Sequence, residues 1–87
     1  MTDQEWAAAQ RREVDRNYDC FQRQLGAILR EHEGQYALMR DGRIVGYFDS
    51  VRAALIEAAN SYQDRIFSVQ EVTAEPVDLG AFSHAGG

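Results

Sequence analysis

Apolar residues recur at Val14, Tyr18, Phe21, Leu25, Ile28 and Leu29, mostly four and three residues apart in turn, the spacing that lines one face of an α-helix. Upstream, Thr2-Asp3-Gln4-Glu5 has the form of a capping box, in which a threonine hydroxyl and a glutamate three residues on serve the free N–H groups of a first turn. No glycine or proline follows until Gly26, and Gly34 stands where a helix would end in the left-handed conformation. The pattern predicts helix over residues 3–33, either one continuous helix or two short ones parted near Asp15–Asn17, where either side chain can cap a second start. A continuous helix would run roughly 45 Å, well beyond the radius of gyration of about 12 Å expected for this length. Its first half, with Trp6 and Ala7–Ala9, would then project as an arm or fold back.

Behind it comes "YALMRDGRIVGYFDS", residues 36–50, two apolar runs around Asp41-Gly42. Asp-Gly between such runs signals a two-residue hairpin turn, which needs positive φ at both central positions. A regular hairpin would set Arg40 against Arg43, Met39 against Ile44, Leu38 against Val45, Ala37 against Gly46 and Tyr36 against Tyr47. The paired arginines belong at a solvated tip, since like charges opposite one another repel. Both faces of this ribbon are apolar, so one is expected against the helices and the other needs a second cover.

Asp49 or Ser50 then caps a helix whose apolar positions are Val51, Ala54, Leu55, Ala58, Ala59 and Tyr62, a regular stripe. "RIFSVQEVT", residues 65–73, is rich in β-branched and aromatic residues and reads as a third strand, closed by Pro76. A right-handed crossover after the hairpin returns that strand beside the first. The expected fold is α+β: an N-terminal helix, one long or two short, then β-β-α-β with a three-stranded antiparallel sheet of order 2-1-3. Residues 1–16 would form a helical arm, 17–73 the core domain and 74–87 a tail.

Composition narrows the function. With 87 residues and 45% apolar content, one small globular domain is expected. Fourteen carboxylates against nine bases give a net charge of −5, which argues against a direct grip on nucleic acid, because phosphate binding needs a basic face. All nine bases are arginine, so there is no Schiff-base or P-loop lysine. The lone Cys20 rules out an internal disulfide, and no window approaches the ~20 apolar residues of a membrane span. Together with the lack of an apolar leader, this predicts a soluble, cytoplasmic protein that does not engage membranes.

"GQYALMRDGRIVGYFDSVRAALIEAA" followed by "FSVQEV" resembles a group of small prokaryotic proteins known only as a domain of unknown function. Their pattern is a helix, a strand closing on a charged-residue–Gly turn, "IVG" on the return strand, "D-S/T" capping an alanine-rich helix, and a final strand. The resemblance spans roughly residues 17–73. It implies the fold above and carries no activity.

Candidate chemistry is thin. His32, His84 and Cys20 lack paired metal-ligand spacing, and Cys20 and His32 on one helix stand roughly 18 Å apart, too far for a catalytic pair. Asp78-Leu79-Gly80 lacks the hydroxyl residue of an aspartic-protease motif. Glu31 with Glu33, or Glu71 with Glu75, would need a cleft to act as acid and base. No catalytic residue, metal or cofactor is expected, and the chain is not read as an enzyme. Gly86-Gly87 resembles the C-terminus of ubiquitin-like modifiers and sulfur carriers, which thread an unhindered backbone into an activating enzyme. Against conjugation through Gly86 and Gly87, "VDLGAF" makes a poor central strand for their β-grasp fold, and that fold has no need of a long leading helix. A narrower alternative is an acidic inhibitor that mimics nucleic acid toward a basic partner, although the carboxylates are scattered. The favoured expectation is a small acidic interaction module, an adaptor or a homodimer, that binds a protein partner or itself through exposed apolar side chains such as Trp6, Val77 and Phe82.

Overall fold

The computed structural model describes residues 2–74. One uninterrupted helix, α1 (Asp3–His32), is followed by strands β1 (Tyr36–Arg40) and β2 (Arg43–Phe48), helix α2 (Val51–Ser61) and strand β3 (Ser68–Glu71). The strands form an antiparallel sheet in the order β2-β1-β3, the α+β architecture and strand order that the pattern predicts.

The capping box at Thr2 is formed. Its hydroxyl accepts from the Glu5 N–H and its own N–H donates to Glu5 Oε1, both at 3.1 Å. Hydrogen bonding to the carboxylate from the Thr2 backbone N–H, and after it from the Thr2 side chain, holds the Glu5 carboxyl below its ordinary pKa. Helix α1 does not break at Asp15–Asn17, because Asn17 is fully buried and bonded to the hairpin rather than turned back to cap a helix start. It ends before Gly34, whose φ of +89° suits glycine.

The hairpin turns at Asp41-Gly42 with φ of +55° and +77°, the positive pair of a type I′ turn. Arg40 faces Arg43 and Met39 faces Ile44 as expected, but the register then shifts. Leu38 faces Gly46, Ala37 faces Tyr47 and Tyr36 faces Phe48, which leaves Val45 as the extra residue of a β-bulge. One inserted residue reverses the alternation beyond it. Tyr47 therefore joins Ala37, Met39 and Ile44 on one face, while Phe48 joins Tyr36 and Leu38 on the other.

The two helices cover opposite faces of the sheet. Against α1 lie Phe21 and Ile28 with Ala37, Met39 and Val72, flanked by Leu25, Leu29, Ile44 and Tyr47. Against α2 lie Ala54 and Ala58 with Leu38 and Val69, flanked by Tyr36, Phe48, Tyr62 and Phe67. The second apolar face of the ribbon is thus covered from within, because the crossover carries α2 over the side that α1 leaves open. Helix α2 approaches through its alanines, and this rotates Leu55 and Ala59 out of the expected stripe and into solvent.

Strand β3 is shorter than the run 65–73 suggests. Arg65 takes a φ of +60°, which interrupts extended structure. Just before the strand, the Gln10 side chain takes up both backbone groups of Phe67.

Candidate interaction surface

The buried face of α1 changes character along its length. Its C-terminal half is apolar, at Phe21 and Ile28, whereas its N-terminal half presents Gln10, Glu13 and Asn17. Spacings of three and four put all of these on one face. Glu13 and Asn17, 3% and 0% exposed, grip the hairpin turn. Glu13 Oε2 accepts from the Asp41 N–H at 2.8 Å and from Asn17 Nδ2 at 3.1 Å. Asn17 Oδ1 accepts from the Gly42 N–H at 2.6 Å, and its amide nitrogen also reaches Ser68 Oγ at 2.9 Å. Arg16 stands 3.5 Å from Glu13 and 3.3 Å from Asp41. Glu13 and Asn17 are satisfied by other parts of the chain and shut away from solvent, while the Arg16 and Asp41 side chains stay exposed at the rim, so the buried pair fixes the turn.

A second polar corner joins the hairpin to the α2–β3 connection, residues 62–67. Arg40 does not project at the tip. Its guanidinium donates to both carboxylate oxygens of Asp64 at 2.8 and 3.0 Å, donates to the Ile66 carbonyl at 2.9 Å, and lies 4.7 Å from the centre of the Tyr62 ring. The bond from Arg40, and after it the Ile66 N–H, pulls the Asp64 carboxyl below its ordinary pKa, while Asp64 raises Arg40. The repulsion expected between Arg40 and Arg43 is avoided because Asp64 draws one of them away. Trp6 meets the same connection, its indole N–H donating to the Asp64 carbonyl at 2.8 Å.

The residues considered for metal or acid–base chemistry are not brought together. Cys20 is half-buried beneath the turn, 3.2 Å from the position a Cβ would take on Gly42. His32 lies flat on Tyr47, ring centres 3.5 Å apart, with Nδ1 2.8 Å from Gln35 Oε1. Burial, and after it the charge of Glu31, raises the Tyr47 hydroxyl pKa. Glu31 and Glu33 are solvated at the helix end and Glu71 closes β3. Among the described residues, no three His, Cys, Asp or Glu side chains are placed to hold a metal. His84 and Glu75 lie outside the described residues, as do Val77, Phe82, Gly86 and Gly87.

What remains is exposed apolar surface. Trp6 is 37% exposed, Val45 49%, Leu55 40% and Ile56 55%. The ring of Trp6 is fixed by its hydrogen bond. Val45 faces water because it is the bulge residue. Leu55 and Ile56 are different: with Arg52 and Ala59 they follow the spacing i, i+3, i+4, i+7, a second stripe turned away from the one that meets the sheet. The signal in the sequence was the adjacent pair Leu55-Ile56, of which only Leu55 fits the stripe assigned to the sheet. No helix of the described residues is long and apolar enough to cross a membrane. Comparison of the chain with family models, curated proteins and solved structures returns no match, so function has to be read from the geometry.

Proposed function

We propose that this chain is a small acidic protein-interaction module that performs no catalysis and engages a protein partner or a second copy through the outward stripe of α2. The observation that carries this is that α2 meets the sheet through Ala54 and Ala58 while Leu55, Ile56 and Ala59 stand exposed on another side of the helix. Large apolar side chains grouped on an exposed helix face mark a contact surface, and Leu55, Ile56 and Ala59 have no cover from the described part of the chain. The sheet edges favour a helical contact over strand addition, since β2 carries the Val45 bulge and Phe67, just before β3, is occupied by Gln10.

The test pairs Leu55→Glu with Ile56→Glu and follows solution mass by sedimentation, alone and in cell extract. The wild-type protein is expected above its chain mass of 9.8 kDa in at least one of these settings, and the double variant at chain mass in both. Because the two side chains are about half exposed, the substitutions should change stability by less than about 1 kcal/mol. A wild-type protein that sediments as a lone chain in both settings sinks the proposal.

A further inference from the structure

We infer that residues 3–12 form a latch, a unit that opens from the α2–β3 connection while the rest of the molecule stays folded. The inference goes beyond the interaction reading and concerns a different part of the chain. No residue of α1 before Glu13 is buried. Apart from the partly covered Trp6 ring, the side-chain bonds that attach this stretch among the described residues are three, all of them to backbone atoms of the connection. Trp6 donates to the Asp64 carbonyl at 2.8 Å, and Gln10 donates to the Phe67 carbonyl at 2.7 Å and accepts from the Phe67 N–H at 3.2 Å.

The Gln10 pair is the arrangement a residue of a neighbouring antiparallel strand would make with Phe67, with the side-chain amide in place of a peptide group. The next anchors along the helix are Glu13 and Asn17 on the turn, followed by Phe21 in the core, so the boundary between latch and body falls near residue 13. A helical end of about ten residues does not persist in water without packing, and neutral hydrogen bonds each contribute little net stability. Such a segment opens at a lower free energy than the core. Opening bares the Asp64 carbonyl and both backbone groups of Phe67 without uncovering Phe21, Ile28 or Val72.

Native-state hydrogen exchange on the intact chain tests this. Amides 7–12 are expected to exchange at least about tenfold faster than amides 20–30 of the same helix, through an opening insensitive to low denaturant. Gln10→Glu supplies a reading that a merely structural residue would not give. At pH 7 its carboxylate cannot donate to the Phe67 carbonyl, and protection of residues 7–12 alone should fall by roughly tenfold. Below the ordinary carboxylate pKa of about 4.3, the protonated acid regains one donor and one acceptor, and protection should return. Trp6→Phe, which keeps a ring but lacks the N–H, should loosen the same amides at every pH. If amides 7–12 of the wild-type protein open only with the whole molecule, or if Gln10→Glu lowers protection evenly along the chain, there is no latch.

Discussion

Asn17→Ala removes the carboxamide that joins α1, the hairpin turn and β3. The Gly42 N–H then loses its acceptor at 2.6 Å, and Ser68 Oγ and Glu13 Oε2 each lose a donor. A buried donor left without a partner costs about 1–3 kcal/mol, and Glu13 keeps only the Asp41 N–H and the more distant Arg16. The expected loss is about 2–4 kcal/mol, against a total of roughly 4–13 kcal/mol for a domain of this size. At about 4–8 °C per kcal/mol, the melting midpoint should fall by on the order of 10–30 °C. Urea and thermal unfolding followed by circular dichroism measure it. Asp19→Ala is the comparison, because the Asp19–Arg23 pair at 2.8 Å is solvent-exposed and should contribute less than about 0.5 kcal/mol. An Asn17→Ala protein within about 0.5 kcal/mol of wild type would refute the view that this cluster fixes the turn. Asn17→Asp adds a sign: it sets a second carboxylate beside Glu13, which raises the pKa of the pair in the folded state. Its deficit relative to wild type should therefore be smallest at acid pH and widen as pH rises.

Gly42→Val should cost more than about 1 kcal/mol by denaturant melt, both because φ is +77° and because its Cβ would stand 3.2 Å from Cys20 Sγ; a neutral outcome would remove the two-residue turn. Arg40→Met should destabilise near neutral pH, where Asp64 is ionised in both the folded and unfolded chain. Arg40 depresses the folded pKa of Asp64, so its contribution is full above the ordinary value near 3.8 and is lost as pH falls through the lower folded value. Melting curves of both proteins should converge in acid, and a gap unchanged at low pH would mean that the ion pair is not its source.

The hairpin was legible because Asp41-Gly42 announces its turn chemistry locally, and the second helix because Ser50 caps a regular run. The bulge was harder to see, since every residue from Ile44 to Phe48 suits a strand, and only Gly46 hinted at a break in the pleat. That single insertion changed which of Tyr47 and Phe48 meets α1. The polar clamp was missed for another reason. Periodicity reads apolar side chains, and Glu13 and Asn17 occupy core-facing positions with groups that become core material only once a turn 28 and 25 residues away, respectively, supplies their partners. Arg40 likewise reads as a tip residue until Asp64, distant in sequence, reaches it. Leu55 and Ile56 show the limit from the other side: the periodicity placed Leu55 in a single sheet-facing stripe, but Ala54 and Ala58 meet the sheet and Leu55 turns outward beside Ile56.

The strand order has a consequence for how the chain is made. A polypeptide leaves the ribosome N-terminus first, so α1, with Glu13 and Asn17 already spaced to receive a turn, is complete before Asp41 and Gly42 emerge. Strand β2 then folds back on β1 along one side and leaves the other side of β1 vacant. Helix α2 crosses the uncovered face, and β3, the last of the described elements, docks on the vacant side against β1. Each strand made after β1 finds β1 already in place, and β2 does not have to be displaced to admit β3.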